Sequence, residues 1–255
     1  MTVLLLHGLG GSRANSLAMF SPILPPGERV IALDVRAHGD DPRLGEPADL
    51  TLPALAADVT AQVRAAFSRD AALDEPLTVI GISMGAAIAL RLALDDSLPL
   101  ARVVFVRPAF TDVPLPDNLA GFPVIGELLA DHGAVEGERE FLRTDLYGAV
   151  RAESPRAAEG LLEQFRAPSA AERSRRLIEI PRSPAFTDAE SPASIRVPTA
   201  IVWAPRDPVH PVSVAELWMD ELDGAASIPL PARDDDYAAY VAATRRGTAA
   251  WLGWD

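Results

Sequence analysis

Two short stretches of this chain carry side chains suited to acyl chemistry. Gly81-Ile82-Ser83-Met84-Gly85 places a hydroxyl between two glycines, and His7-Gly8-Leu9-Gly10-Gly11 is a glycine-rich turn near the N-terminus. A serine hydroxyl is a weak nucleophile until a neighbouring base takes its proton, and that base works best when a third group orients it. The chemistry therefore turns on which residue accepts the proton of Ser83.

The pattern around Ser83 is G-x-S-x-G, with an apolar run before it (Leu77–Ile80) and a helical pattern after it (Met84–Leu94). In that setting the glycines permit a sharp strand-to-helix turn, and the serine sits strained with its hydroxyl over the strand ends. The helix N-terminus adds positive potential there. The competing reading is a serine that only caps the helix. His7–Gly11 follows a short apolar run, so its turn aims the Leu9 N–H at a developing oxyanion, with the Met84 N–H as second donor. His7 reads as the histidine that fixes this loop at the edge of the substrate pocket.

Positioning these groups takes strands that end where the motifs begin. Continuous apolar runs at Val3–His7, Val30–Leu33, Leu77–Ile80, Arg102–Val106, Pro198–Trp203 and Ala226–Leu230 fit strands buried on both faces. Helical patterns lie between them at Asn15–Leu24, Thr51–Ala66, Met84–Leu94, Pro211–Leu222 and Asp235–Leu252. Alternating strands and helices predict a mostly parallel sheet with helices on both faces. The alternation breaks once, for about ninety residues between Val106 and Pro198, too long for a structureless loop. Helix-like spacing in FPVIGELLADHG, EREFLRTDLYGAVRAE and PRAAEGLLEQFRA predicts a helical insertion lying over the site end of the sheet. The expected division is a core of residues 1–107 and 198–255 with a helical cap at 108–197.

The bulk composition excludes several function classes. The net charge of −13 argues against a basic nucleic-acid footprint. The absence of cysteine excludes disulfides, thiolate catalysis and Cys-ligated metal. No stretch reaches the roughly 18 consecutive apolar residues of a transmembrane helix. The N-terminal run has no positive flank and enters a glycine turn directly, so it reads as a strand and the expected location is cytoplasmic. Abundant alanine, arginine and aspartate with little lysine suggests a bacterial source. No cofactor is implied, and the expected partner is a small-molecule substrate.

The order of these motifs resembles the α/β-hydrolase superfamily. H-G-x-G-G comes first, then Asp34-Val35-Arg36-Ala37-His38-Gly39, then G-x-S-x-G, then Asp207 after a late strand. The second motif is similar to the family turn D-x-R-G-H-G, with Ala37 where glycine is usual. The resemblance spans the chain and implies an α/β-hydrolase fold of about six strands, without the family's N-terminal antiparallel hairpin. It implies Ser83 as nucleophile, Asp207 as triad acid, and Leu9 and Met84 as oxyanion donors. The expected activity is hydrolysis of a small ester, lactone or thioester.

One family feature is missing. The catalytic histidine normally follows the last strand, but here that strand runs into Pro231-Ala232-Arg233-Asp234-Asp235-Asp236-Tyr237, and the last histidine is His210. The base then has four candidate sources. His210 lies on the loop facing the site and works if that loop folds back to Asp207. Asp234, or Asp235, occupies the family's histidine position and would act as a carboxylate whose pKa a neighbouring Asp207 raises. His132 from the cap and His38 from the second loop are further donors. Without any base the triad is incomplete, and the fold would bind a small ligand or run a non-hydrolytic lyase- or cyclase-type step. Asp207, His210 and Asp234–Asp236 are the hard ligands a metal would use, although the spacing lacks a two-histidine helix motif. Arg107, directly after the fourth strand, reads either as a clamp for a substrate carboxylate or as a salt bridge to the cap.

Overall fold

The inner apolar runs form strands buried on both faces. The runs at Arg29–Leu33 and Ala226–Pro229 form the sheet edges and are only partly covered, with Ser227 and Pro229 exposed against the expectation of two-sided burial. The computed structural model describes residues 1–67 and 75–254. Its strands are β1 (Thr2–Leu6), β2 (Arg29–Leu33), β3 (Leu77–Ile82), β4 (Leu100–Val106), β5 (Thr199–Trp203) and β6 (Ala226–Pro229). They make one parallel sheet in the order β2-β1-β3-β4-β5-β6. Successive side chains of a strand point to opposite faces, and two apolar clusters follow from that alternation. Leu4, Leu6, Val79, Val103, Phe105 and Ile201 enter one cluster. Val3, Leu5, Ile80, Val104, Val106 and Val202 enter the other.

Helices α2 (Leu52–Phe67), α3 (Met84–Leu94) and α8 (Val212–Glu221) cover the first face. Helices α1 (Arg13–Phe20) and α9 (Tyr237–Leu252) cover the second through Phe20, Tyr240 and Leu252. Helix α1 stops short of the expected Leu24 because Pro22 lacks the N–H that a continuing helix needs, and residues 21–23 tighten into a 3-10 turn. Helix α9 begins two residues later than expected, since Asp236 caps it by accepting the Ala239 N–H at 3.0 Å.

Between β4 and β5 the chain is helical: α4 (Gly121–Phe141), α5 (Asp145–Glu153), α6 (Pro155–Arg166) and α7 (Arg175–Glu179). Gly133, at φ 71°, breaks α4 just after His132. The stretch 138–153 is not one helix, because the chain leaves α4 at Leu142 and Thr144 caps α5 by accepting the Tyr147 N–H. Ser154 caps α6 in the same way through the Ala157 N–H. This insertion is tied to the sheet's loops by Arg173, which donates to Gly39 O at 2.7 Å, and by the Leu52 N–H donating to Ser183 Oγ at 2.9 Å.

The strand register gathers the functional ends. Leu6 pairs with Gly81, Ile82 with Val106, and Val106 with Val202. The residues after those pairs, among them His7, Ser83 and Arg107, therefore emerge side by side at one edge. The cap helices lie over that edge.

Candidate active site

Ser83 follows β3 directly and adopts φ 54°, ψ −110°, a conformation that costs a non-glycine residue on the order of 1–3 kcal/mol. Its N–H donates to Val106 O at 2.9 Å, and its carbonyl accepts from Ala86 and Ala87 in the first turn of α3. The turn closes only because its flanks lack side chains. A Cβ on Gly81 would lie 2.2 Å from Gly85 O, and one on Gly85 would lie 2.5 Å from Leu6 O. The Ser83 hydroxyl makes no capping hydrogen bond to α3. It donates instead to His210 Nε2 at 2.9 Å.

The chain after β5 folds back at Asp207, where the His210 N–H donates to Asp207 O at 3.1 Å and closes a tight turn. That turn brings two side chains three residues apart into contact: His210 Nδ1 donates to Asp207 Oδ2 at 3.1 Å. The other carboxylate oxygen accepts the Val209 and His210 N–H groups, each at 3.2 Å. Serine, imidazole and carboxylate thus form one continuous chain, with exposures of 9, 8 and 3 %. Burial pushes the His210 imidazole down to about 4, and the Arg107 guanidinium adds to this while Asp207 opposes it. Burial alone would raise the Asp207 carboxyl. His210, Arg107 and Arg233 beside it hold it well below the usual carboxylate range. At neutral pH the histidine is a neutral acceptor and the aspartate an anion.

The loop after β6 does not supply a base. Asp234 faces the cap, accepting from Ser154 Oγ at 2.5 Å and from the Arg156 N–H at 3.0 Å. Asp235 pairs with Arg206, and Asp236 caps α9. The expectation of an incomplete triad, with Asp234 in the histidine's place, is therefore replaced by a complete set drawn from two loops. The side chain that the β6 loop does send inward is Arg233, whose Nη1 lies 3.4 Å from Asp207 Oδ2. Where the family pattern brings a histidine to the aspartate, this chain brings an arginine. The sequence signal for Arg233 was its place one residue before Asp234, the position aligned with the family's histidine.

The remaining histidines have other surroundings. His7 is fully buried, donates from Nδ1 to Gly8 O at 2.8 Å, and accepts the Val35 N–H on Nε2 at 3.1 Å, which ties the first loop to the second. Burial lowers it to about 4. His38 is also fully buried, against His7 at 5.0 Å between ring centres, with Nδ1 bonded to Arg36 O. Burial and then Arg176 push it well below its ordinary value. His132 is exposed at the break in α4 and does not line the cavity over Ser83.

A cavity of about 220 Å³ opens over Ser83. Its floor is Gly8–Gly11, Ile82, Ser83 and His210, and cap residues Phe122, Arg156, Leu161 and Gln164 roof it. Leu9 lines it as part of that floor. Met84 is the first residue of α3, so its N–H has no carbonyl four residues back within the helix. Arg107 enters from β4 with φ 51°, and its carboxylate partner is Asp207, at 3.6 Å, rather than an acid of the cap. Among the described residues no helix is long and apolar enough to cross a membrane.

Residues 2–225 match the family model described as the alpha/beta hydrolase fold. The chain is 38% identical over 99 residues to human protein phosphatase methylesterase 1. That match covers 38% of this chain and only 24% of the human protein, so the chain spans about a quarter of that relative's length in the match. In solved structures it is similar to a malate-bound thermophilic esterase from Thermogutta terrifontis, with TM-score 0.68 and 20% identity over 99% of this chain and 89% of that one. It is similar also to the enol-lactonase from Burkholderia xenovorans, with TM-score 0.67 and 18% identity over 99% of this chain and 90% of the other. At these identities the structural likeness speaks for the fold.

Proposed function

The chain belongs to the α/β-hydrolase family, and we propose that within it this protein is a serine hydrolase of small-molecule esters, lactones or thioesters. The observation that carries this reading is the unbroken hydrogen-bonded line from Ser83 through His210 to Asp207. Ser83 Oγ attacks the substrate carbonyl carbon while His210 Nε2 takes its proton. The carbonyl oxygen becomes an oxyanion, which the Leu9 and Met84 amides receive. The resulting imidazolium, steadied by Asp207, returns the proton to the leaving oxygen or sulfur as that bond breaks. A water then attacks the acyl-enzyme in the same sequence and releases the acid and free Ser83.

The histidine works from the β5 loop rather than from the β6 loop, but it stands between the same two partners. Similarity to a protein named methylesterase supports an acyl-oxygen substrate. The test is intact-mass labelling by a fluorophosphonate from pH 4 to 9, with Ser83→Ala and His210→Ala beside the parent. Rapid labelling lost in both variants supports the reading. Labelling that survives His210→Ala would move the base elsewhere, and an unlabelled parent would leave a ligand-binding or non-hydrolytic role.

A further inference from the structure

The cavity over Ser83 is charged in a way that ester hydrolysis does not require. Three arginines line it, Arg107, Arg156 and Arg233, against two acids, Asp207 and Glu163. The site therefore holds a surplus positive charge inside a chain whose net charge is −13. Asp207 is already occupied by the His210 ring and two backbone N–H groups. Arg233 and Arg107 approach it at 3.4 and 3.6 Å, longer than the roughly 2.7–2.9 Å of a strong charge-assisted bond. The Nε of each is buried with no partner. Two guanidinium groups thus share one carboxylate that a third group also uses, and both line the cavity with side chains still 14 and 18 % exposed.

The surrounding structure holds these arginines in place. Arg107 sits at φ 51°, in the left-handed region, with its N–H bonded to Val202 O at 2.7 Å. Non-glycine residues held there are concentrated at ligand clamps and active sites. Arg233 lies over the Tyr240 ring at 5.7 Å. Arg156 comes from cap helix α6, stacks on Tyr237 at 4.5 Å, and has its N–H fixed by Asp234. Arg107 Nη2 also stands 3.5 Å from His210 Nε2, the nitrogen that must receive the Ser83 proton. An anion that draws this guanidinium toward itself leaves that nitrogen to the serine.

Resting on the serine-hydrolase reading above, we propose that the substrate carries a carboxylate a few bonds from its scissile carbonyl, received by Arg107 and Arg233 with Arg156 closing from the cap. A carboxylate fits better than a phosphate because the surplus is a single charge and a guanidinium fork matches a planar anion.

The test compares kcat/KM for p-nitrophenyl hydrogen glutarate and p-nitrophenyl valerate, whose acyl chains differ in a carboxylate replacing a methyl. A second pair, 3-carboxyphenyl acetate and 3-methylphenyl acetate, places the charge on the leaving group. The parent should prefer the charged ester in at least one pair by about thirtyfold or more, the scale of a charge-assisted contact. The preference should fall at least tenfold in Arg107→Gln and Arg233→Gln. If those variants do not fold, the exposed Arg156→Gln replaces them, with a severalfold fall expected. Equal turnover of both members of both pairs overturns the carboxylate site while leaving the hydrolase reading intact. Should no ester be turned over, calorimetric titration with monomethyl glutarate decides. Arg107-dependent binding would keep the site and sink the hydrolase reading, and no binding would sink both.

Discussion

Ser83, His210 and Asp207 contribute unequally, and the proposed chemistry assigns each a separate cost. Replacing His210 with alanine removes the base, and by analogy with serine proteases turnover should fall on the order of 10⁶. Asp207→Asn leaves shape but lets the imidazole take the wrong tautomer, and a loss of about 10⁴ is expected. The pH dependence carries its own signature. A base acts when neutral, so rate rises with pH through its pKa. With His210 held at about 4, first by burial and then by Arg107, labelling of Ser83 should already be near its plateau at pH 6. The charged groups facing that ring are Asp207, Arg107 and Arg233. Arg107→Gln removes a positive neighbour, so the limb should move toward the ordinary 6.5. A limb at 6.5 in the parent would show that the ring is not desolvated as the structure has it.

Single elements deliver these groups, and the elements explain what could be read in advance. The strand ends and the turn at Ser83 were legible because an apolar run stopping at glycine has one physical meaning: the backbone must pass where a side chain cannot. Gly85→Ala tests that directly. Its Cβ would lie 2.5 Å from Leu6 O, which is rigid strand backbone, so a loss of about 3 kcal/mol or more by urea unfolding is expected. Ala37 shows the limit of such reading, since it holds φ 63° where the resembling family uses glycine. The β6 loop was not legible for another reason. Asp234 matched a sequence position, but which way it points is settled by Ser154 and Arg156, eighty and seventy-eight residues away. The His210–Asp207 contact was similarly hidden, because three residues of spacing say nothing until the turn closes. Asp234→Ala should loosen the seat of α6, costing about 1–2 kcal/mol for hydrogen bonds to a charged acceptor. It should leave the pH midpoint of Ser83 labelling in place, whereas an Asp234 base would abolish labelling.

Across the whole molecule, the same burial that keeps the site neutral makes the fold sensitive to acid. His7, His38 and His210 are all buried with pKa values depressed below 6.5, the first and last to about 4. A group depressed on folding binds its proton more tightly in the unfolded chain. Its stabilisation is therefore full above pH 6.5 and is lost as pH falls toward the folded value. Each imidazole contributes a slope of up to about 1.4 kcal/mol per pH unit in that window. The three act in the same direction, so their losses add across that window. Asp207, held low, adds its loss only below the usual carboxylate range. An opposite effect competes, because the net charge of −13 relaxes as pH falls toward the pI near 4.7. Salt separates the two: self-repulsion between exposed charges is screened, and proton uptake by buried rings is not. In about 0.5 M salt, the urea midpoint should drop steeply between pH 7 and 5. His38→Gln should reduce that slope by about one imidazole's share, ~1.4 kcal/mol per unit, whatever its effect at neutral pH. An unchanged slope in the variant would mean that His38 takes up its proton inside the fold, and that its buried Nε2 has an acceptor at low pH.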